Sequence, residues 1–177
     1  AISTLLNGID QKAVEINFFN NKYHLPILEM LSKIPDIKGS LNYDPLTRYI
    51  RRGVWYINEG ADTELAYIVV KADMPNFQTI GVNGHVFTNA GATIVQEMAF
   101  SLAVGAEYLD KLTEKGLTID EIAPKMRFNL AIGQNYFMEM AKLRAYRLLW
   151  ANIVKAYGGK EENAKMHIHA TNAELGN

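Results

Sequence analysis

The sequence predicts an α/β fold in which about five parallel strands and their crossover helices form part of a (β/α)8 barrel. Short apolar runs alternate with longer helical patterns, and the order strand, turn, helix recurs along the 177 residues. Parallel strands need such crossovers, and helices then cover the sheet. Polar residues at the strand ends favour a barrel over an open doubly wound sheet, because the functional residues of a barrel lie at the rim formed by the carboxyl ends of its strands.

The chain forms one series of units, without a linker between domains. The apolar runs that predict strands lie at 13–19, 37–42, 77–82, 126–132 and 166–170. The helical patterns between them lie at 26–34, 45–52, 64–72, 92–115 and 136–157. Asp44 before Pro45 and Asp62 before the third pattern are predicted helix caps. Thr118 and Glu121 have the spacing of a capping box.

Composition excludes several classes of function. The net charge is −1, with 49% hydrophobic and 21% charged residues, so no basic surface for nucleic acid or an anionic membrane is expected. No apolar run approaches the roughly 18 residues of a membrane span. The absence of cysteine excludes disulfide and thiol chemistry and favours a cytoplasmic location. A start at Ala1 and an end just after a predicted strand suggest a piece of a longer polypeptide.

Asparagines cluster at the predicted carboxyl ends of the strands. They are Asn20, Asn42, Asn83, Asn135 and Asn172. In a barrel these ends converge on one mouth, which predicts an amide-rich site there. Asparagine is also a common turn residue, so the same positions are compatible with a purely structural role.

Groups suited to acid–base or metal chemistry are few. Asp44 is predicted mainly as a helix cap, and His85, at a strand end, is the strongest polar candidate. His167 and His169 lie two residues apart and therefore share one face of a strand, which raises the alternative of a metal site. The other strand ends offer amides where such a site needs further ligands. Phosphate-loop, dinucleotide-binding and nucleophile-elbow motifs are absent.

Two helices carry further candidate binding features. Arg48, Arg51 and Arg52 form a basic cluster late in the helix after the second strand. They suit a helix C-terminus, or one of them holds a carboxylate or phosphate. Apolar residues of the last helix, including Phe137 and Leu148, occupy more than one face of the helix. This pattern predicts that another segment or a partner packs against it.

Several long segments resemble the barrel domain of the methylmalonyl-CoA mutase family. They are GSLNYDPLTRYIRRG, GVNGHVFTNAGATIVQEMAFSLAVGAEYL, GLTIDEIAPKMRFNLAIGQNYFMEMAKLRAYRLLW and KMHIHATNAEL. They occur in the family's order and cover about 37–174. The resemblance implies a (β/α)8 barrel that binds acyl-CoA, with cobalamin carried by a separate carboxyl-terminal domain. It implies that residues 1–177 form a single internal segment of that barrel.

The sequence departs from the family where chemistry is performed. Catalytic chains that it resembles have Ser-Gly-Tyr-His-Met-Gln-Glu-Ala-Gly-Ala after the third of these strands, whereas this chain has NGHVFTNAGA. His85 therefore takes the tyrosine position and Val86 the histidine position. The family's substrate-binding glutamine matches Asn42, and its carboxylate-pairing arginine is kept as Arg52. A further family glutamine matches Thr171.

This pattern resembles the small, non-catalytic subunits of the family's heterodimeric bacterial isomerases, which act in propionate metabolism. The resemblance implies no catalytic residue, no metal, and a vestigial substrate site at Asn42, Arg52 and His85. It implies adenosylcobalamin in the whole enzyme but none bound to this chain, and a large catalytic subunit as partner. Self-association through exposed strand edges is also expected. The alternatives are a catalytically competent mutase chain, or a metal-dependent hydrolase fragment using His167 and His169.

Overall fold

The structure is a computed structural model that describes residues 4, 6–10, 13–19, 23–34 and 36–174. The described strands are β1 (Glu15–Asn17), β2 (Lys38–Tyr43), β3 (Phe77–Val82), β4 (Met126–Ile132) and β5 (His167–Asn172). The described α-helices are α1 (His24–Leu31), α2 (Pro45–Arg52), α3 (Glu59–Lys71), α4 (His85–Asn89), α5 (Ile94–Glu114), α6 (Ile119–Ile122) and α7 (Tyr136–Ala156). None of these helices is long and apolar enough to cross a membrane.

The five described strands form one parallel sheet in the order β1-β2-β3-β4-β5. Neighbours in space are neighbours along the chain, as in a barrel, whereas a doubly wound sheet reverses direction at a switch point. The predicted fold class, a partial α/β barrel, is therefore confirmed.

One long-range contact shows how strongly the sheet curls. The Arg127 guanidinium of β4 donates hydrogen bonds to Asn17 Oδ1 of β1 and, over 3.1 Å, to Ser40 Oγ of β2. In a flat sheet, β1 and β4 would lie about 14 Å apart, three strand spacings, which is beyond the reach of an arginine. The sheet must therefore curl, so that its concave side forms a polar interior.

The hydrophobic core lies between the convex side of the sheet and the helices. Phe128 of β4 packs edge-on against Trp150 of α7, with ring centroids 4.8 Å apart, and both are fully buried. A Cβ at Gly105 of α5 would lie 2.9 Å from the Trp150 ring and 3.1 Å from that of Phe128. Glycine at this position therefore lets α5 approach the sheet closely.

Three helix starts differ from the sequence-based prediction, and the first is that of α1, which begins at His24 rather than at Pro26. Helix α3 begins at Glu59, because the Asn58 side chain accepts from Ala61 N at 2.9 Å; the prediction that Asp62 is the cap is wrong. Helix α5 begins at Ile94 behind a Thr93–Gln96 capping box. The residues before it form the short helix α4, which was not predicted, because helices of so few residues depend on tertiary packing.

The strand ends also differ slightly from the prediction. Strand β1 covers only three residues, and β5 continues two residues past Ala170 to Asn172. The extension follows from pairing, since Thr171 and Asn172 lie opposite Ala131 and Ile132 of β4. A neighbouring strand therefore extends β5 into polar sequence that shows no strand pattern of its own.

The buried His24 should make stability depend on pH. It is 3% exposed in α1, and burial lowers its pKa to about 4. The unfolded chain binds this proton below about pH 6.5 and the folded chain only below about pH 4. Folding stability should therefore fall by about 3 kcal/mol as the pH drops through this window, and stay constant with respect to His24 below it. Urea unfolding at several pH values measures the effect.

The comparison variant for this prediction is His24→Phe. Other groups titrate in the same range, so the informative quantity is the difference in unfolding free energy between the original chain and the variant. As the pH falls from about 6.5 to about 4, the original chain should lose stability relative to the variant, because only the original chain carries His24. A difference that is independent of pH would contradict the assignment of the effect to His24.

Candidate functional site

Three asparagines meet inside the carboxyl end of the sheet. Asn129 Nδ2 donates to Asn42 Oδ1 at 2.7 Å and to Asn83 Oδ1 at 3.0 Å. Asn42 Nδ2 also donates to Asn83 Oδ1 at 3.2 Å. The buried Asn129 Oδ1 has no hydrogen-bond partner among the described residues. An unmatched buried acceptor is uncommon, and it indicates a place where a further donor is expected.

The backbone of β2 turns Asn42 into this cluster. Asn42 has φ = 55°, and the β2–β3 register shifts between Ser40 and Tyr43. Asparagine tolerates this left-handed conformation better than most residues, so it suits the bulge. A Cβ at Gly81 of β3 would overlap Asn42 Oδ1, so glycine there makes room for the amide.

Asp44 anchors the rim of the mouth. Its Oδ1 accepts from Tyr108 Oη at 2.8 Å and from Thr47 N at 3.0 Å, which confirms the predicted helix cap. Its Oδ2 accepts from both the backbone N and the Nδ2 of Asn83, each at 2.8 Å. Burial raises the pKa of the Asp44 carboxyl, and the hydrogen bonds from Thr47, Tyr108 and Asn83 oppose that shift. The carboxyl is thus committed to holding α2, β3 and α5 together.

A polar cavity of about 230 Å³ opens beside this rim. Its lining contains three arginines, two carboxylate residues and the start of α4: Asp44, Thr47, Arg48, Arg51, Arg52, Tyr56, Asn83, His85, Val86 and Glu174. Three guanidinium groups against two carboxylates give the lining a positive balance. Such a cavity favours an anion. We call it the mouth cavity.

The candidate residues differ in how directly they reach the mouth cavity. Arg52 and His85 both line it, and His85 Nδ1 lies 3.4 Å from the backbone oxygen of Asn129, to which the Nδ1–H tautomer donates. Asn42 lies one layer deeper and reaches the cavity only through Asn83. The fold therefore groups these three predicted residues, while their role in binding stays a prediction.

The predicted convergence of five asparagines is correct only in part. Asn42 and Asn83 meet, but Asn135 caps α7 by accepting from Met138 N at 3.3 Å, and Asn172 is exposed at the end of β5. Asn20 lies outside the described residues. Asn129, which lies within β4, was not predicted from the sequence. Its signal was the alternation of Arg127, Asn129 and Ala131 along that strand, which places them on one face.

His167 and His169 lie beside a cation. His169 Nδ1 accepts from Arg127 Nη2 at 3.3 Å, and His167 is opposite Arg127 in the β4–β5 register. Burial, together with the positive charge of Arg127, lowers the pKa of both imidazoles. Within the described part of the chain, no group of three or more His, Asp or Glu side chains is placed to hold a metal ion. The positive neighbour also disfavours a cation at this pair.

A buried ion cluster, which was not predicted from the sequence, fixes the other side of the β4 end. Lys142 Nζ of α7 lies 3.0 Å from Glu97 Oε2 of α5 and 2.5 Å from Glu139 Oε2. The same Nζ donates to the backbone oxygen of Ala131, while Glu97 Oε1 accepts from Ala131 N at 2.9 Å. Side chains of α5 and α7 thus hold the strand end through the backbone N–H and C=O of Ala131. The signal available in the sequence was the i,i+3 pair Glu139–Lys142 in an otherwise apolar stretch.

A family model described as methylmalonyl-CoA mutase matches residues 1–176. The chain belongs to the methylmalonyl-CoA mutase family. The predicted family is thereby confirmed, and nothing in the comparisons supports a metal-dependent hydrolase.

Similar proteins in the mutase family include both subunit types. The chain is 39% identical to the methylmalonyl-CoA mutase small subunit of Porphyromonas gingivalis over 96% of its length. It is 36% identical to the large subunit of the same organism over 90%, and 34% identical to the methylmalonyl-CoA mutase of Rhizobium meliloti over 92%. The chain spans 29%, 24% and 24% of these three relatives.

Proposed function

We propose that this chain is a barrel segment of a methylmalonyl-CoA mutase small subunit. In this proposal it supports a large catalytic subunit, its partner in a heterodimer, in the adenosylcobalamin-dependent interconversion of methylmalonyl-CoA and succinyl-CoA. The chain itself performs no catalysis, and the enzyme is a cytoplasmic isomerase. The higher identity to a small subunit supports the proposal only weakly, since the large subunit is nearly as similar.

Val86 is the observation that carries the proposal. It is the second residue of α4, next to His85, and it lines the mouth cavity together with Arg52. Catalytic chains that the sequence resembles have a histidine at this position. Valine can neither donate a hydrogen bond to a thioester carbonyl nor transfer a proton. The cavity thus keeps the means to attract an anion while lacking the polar group that would act on it.

The mouth cavity is too small for the cobalamin cofactor. The mouth cavity measures about 230 Å³. Pockets for drug-sized ligands usually measure about 300–1,000 Å³, and a corrin is larger than such ligands. In this proposal adenosylcobalamin therefore binds to another part of the whole enzyme, and this chain contributes only the barrel wall.

Two exposed features support association with other protein segments. Strands β1 and β5 are the edges of the described sheet, and an unpaired edge favours pairing. On α7, Phe137 is 77% and Leu148 is 65% exposed, while the opposite face buries Tyr146 and Trp150. The predicted second cover of α7 and the predicted self-association remain predictions. A reading frame adjacent in the genome that encodes the intact Tyr-His motif would support the subunit assignment.

The catalytic part of the proposal is tested by assaying the purified chain with adenosylcobalamin and methylmalonyl-CoA. No succinyl-CoA should form, and the variant Val86→His should not create turnover, because the cofactor still has no site. An equal amount of a catalytic mutase serves as the positive control. Turnover by the unaltered chain would favour the alternative, a competent mutase with a rearranged pocket. The retained Arg52 is the feature that supports this alternative.

Arg52 should contribute only weak binding of acyl-CoA. A charge-assisted contact to a substrate carboxylate contributes roughly 1.5–3 kcal/mol. Since a Kd of 1 mM corresponds to about 4 kcal/mol, this contact alone gives at best about millimolar affinity. Titration calorimetry with succinyl-CoA should therefore detect little or no heat. Micromolar binding that disappears in Arg52→Ala but persists in Arg144→Ala would instead demonstrate a functional acyl-CoA pocket.

A further inference from the structure

A second cavity lies next to the mouth cavity, and its lining contains none of the residues matched to the family's substrate site. It measures about 290 Å³ and is lined by His24, Tyr43, Arg48, Tyr56, Ile57 and Leu65. These residues come from α1, β2, α2, the segment before α3, and α3 itself. Arg48 lines both cavities, whereas Arg52 lines only the mouth cavity. We call the second space the tyrosine cavity.

His24 brings an unpartnered polar atom to the tyrosine cavity. The residue is 3% exposed, and its Nε2 has no hydrogen-bond partner among the described residues. Its ring packs edge-on against Tyr43 and Tyr56, at centroid distances of 4.7 and 5.4 Å. Buried polar atoms are rarely left unpaired, because the desolvated group costs about 1–3 kcal/mol. The two tyrosines hold the imidazole in place, so a molecule in the cavity is the available partner.

Arg48 brings a positive charge to the same space. Its guanidinium carbon lies 4.3 Å from the centre of the Tyr56 ring, and its buried Nε has no hydrogen-bond partner among the described residues. The nearby Asp62 carboxylate is already engaged: Oδ1 accepts from the Tyr43 hydroxyl at 3.0 Å, and Oδ2 accepts from Tyr56 N at 2.8 Å. The guanidinium also interacts with the Tyr56 side chain, while its Nε remains available to an anionic ligand.

The remaining lining is aromatic and aliphatic. Tyr43 and Tyr56 lie stacked with centroids 5.7 Å apart and planes 24° apart, and Ile57 and Leu65 complete the wall. Such surfaces favour a flat apolar body. A volume of 290 Å³ offers room for roughly ten water-sized groups at about 30 Å³ each. The cavity thus combines one cation, one neutral imidazole and a flat apolar wall, and its volume suits a ligand with a single small ring.

We propose that the tyrosine cavity binds a small aromatic carboxylate that carries a second hydrogen-bonding group. The carboxylate pairs with Arg48, the ring packs beside Tyr43 and Tyr56, and the second polar group bonds to His24 Nε2. Because burial lowers the pKa of His24 to about 4, the imidazole is neutral near pH 7 and can donate through one nitrogen and accept through the other. Arg48 also borders the mouth cavity, but the proposed contacts involve neither Arg52 nor His85, and the proposal does not rest on the subunit role.

The probe is 4-hydroxybenzoate. Benzoate is the comparison, because it lacks the hydroxyl group that would bond to His24. Titration calorimetry should show one binding site. In an NMR titration, the imidazole resonance of His24 should shift and that of His85 should stay unchanged. Benzoate should bind about tenfold more weakly, because it leaves His24 unpaired. His24→Phe should remove this difference, and Arg48→Met should abolish binding of both compounds. Arg52→Met is the matched control and should bind normally.

Several results would overturn the proposal. They are an absence of saturable binding, equal affinity for both compounds in the unaltered chain, or a shift of His85 instead of His24. Binding lost in Arg52→Met would place the ligand in the mouth cavity and would equally overturn it. If a variant fails to fold, the NMR titration of the unaltered chain with the two compounds decides alone.

Discussion

Lys142→Met should lower the free energy of unfolding by about 3–5 kcal/mol, because removing one partner of a buried ion cluster leaves uncompensated charge. The Lys142 side chain is 1% exposed, and those of Glu97 and Glu139 are 0% and 9% exposed. Methionine keeps most of the volume of lysine but leaves two carboxylates facing each other and the Ala131 oxygen without its donor. Urea unfolding followed by circular dichroism gives the change directly.

The matched control is Lys71→Met, which breaks an ion pair of similar length at the surface. Lys71 Nζ lies 3.0 Å from Glu121 Oε1, and both side chains are more than 40% exposed. Solvent screens exposed pairs, so this variant should be nearly as stable as the original chain. A Lys142→Met variant that loses no more stability than Lys71→Met would show that the buried cluster does not hold the β4 end.

Gly39→Ala should destabilise the chain by at least about 3 kcal/mol, through backbone strain combined with overpacking. Gly39 has φ = 137°, a conformation that residues with a Cβ rarely adopt. A Cβ there would overlap the backbone oxygen of Ile16 in β1. This neighbour is main chain and has no rotamer to change, so the substitution should separate β1 from β2. Hydrogen exchange should show lost protection in β1 first.

Gly116→Ala separates the two contributions. Gly116 also has positive φ, 91°, but a Cβ there would meet no atom within 4 Å. Only the conformational cost remains, about 1–2 kcal/mol. If both variants lose the same amount of stability, the close approach of β1 at Gly39 is not tight enough to exclude a methyl group, and the steric part of the prediction is wrong.

Local sequence predicted much of the fold because local rules decide strands, caps and turns. The bounds of β3 and β4 agree with the prediction, and Asp44 and Thr118 act as the predicted caps. Local rules failed at Asp62, whose spacing suggests a cap. The carboxylate instead accepts the Tyr43 hydroxyl and the backbone amides of Tyr56 and Ile57, contacts that exist only after the chain has folded.

The candidate site was predicted less completely than the fold. Asn42, Arg52 and His85 were chosen from strand-end position and family resemblance, and the structure groups them around the mouth cavity. Asn129 and the Glu97–Lys142 pair were missed, since each depends on side chains 45 to 87 positions apart meeting in space. No helix or strand period relates residues at such separations.

By itself the sequence determined the parallel α/β architecture and the family, and it has valine at position 86, where the resemblance implies a histidine in catalytic chains, because these features depend on local periodicity and on the order of residues. Only the tertiary structure decided which polar groups are buried and which of them have partners. It turned Asn42 inward through a left-handed backbone, and it placed Arg48 between two cavities with His24 at the back of one. Burial and hydrogen bonding depend on distances between elements, and those distances are set only when the sheet curls and the helices pack against it.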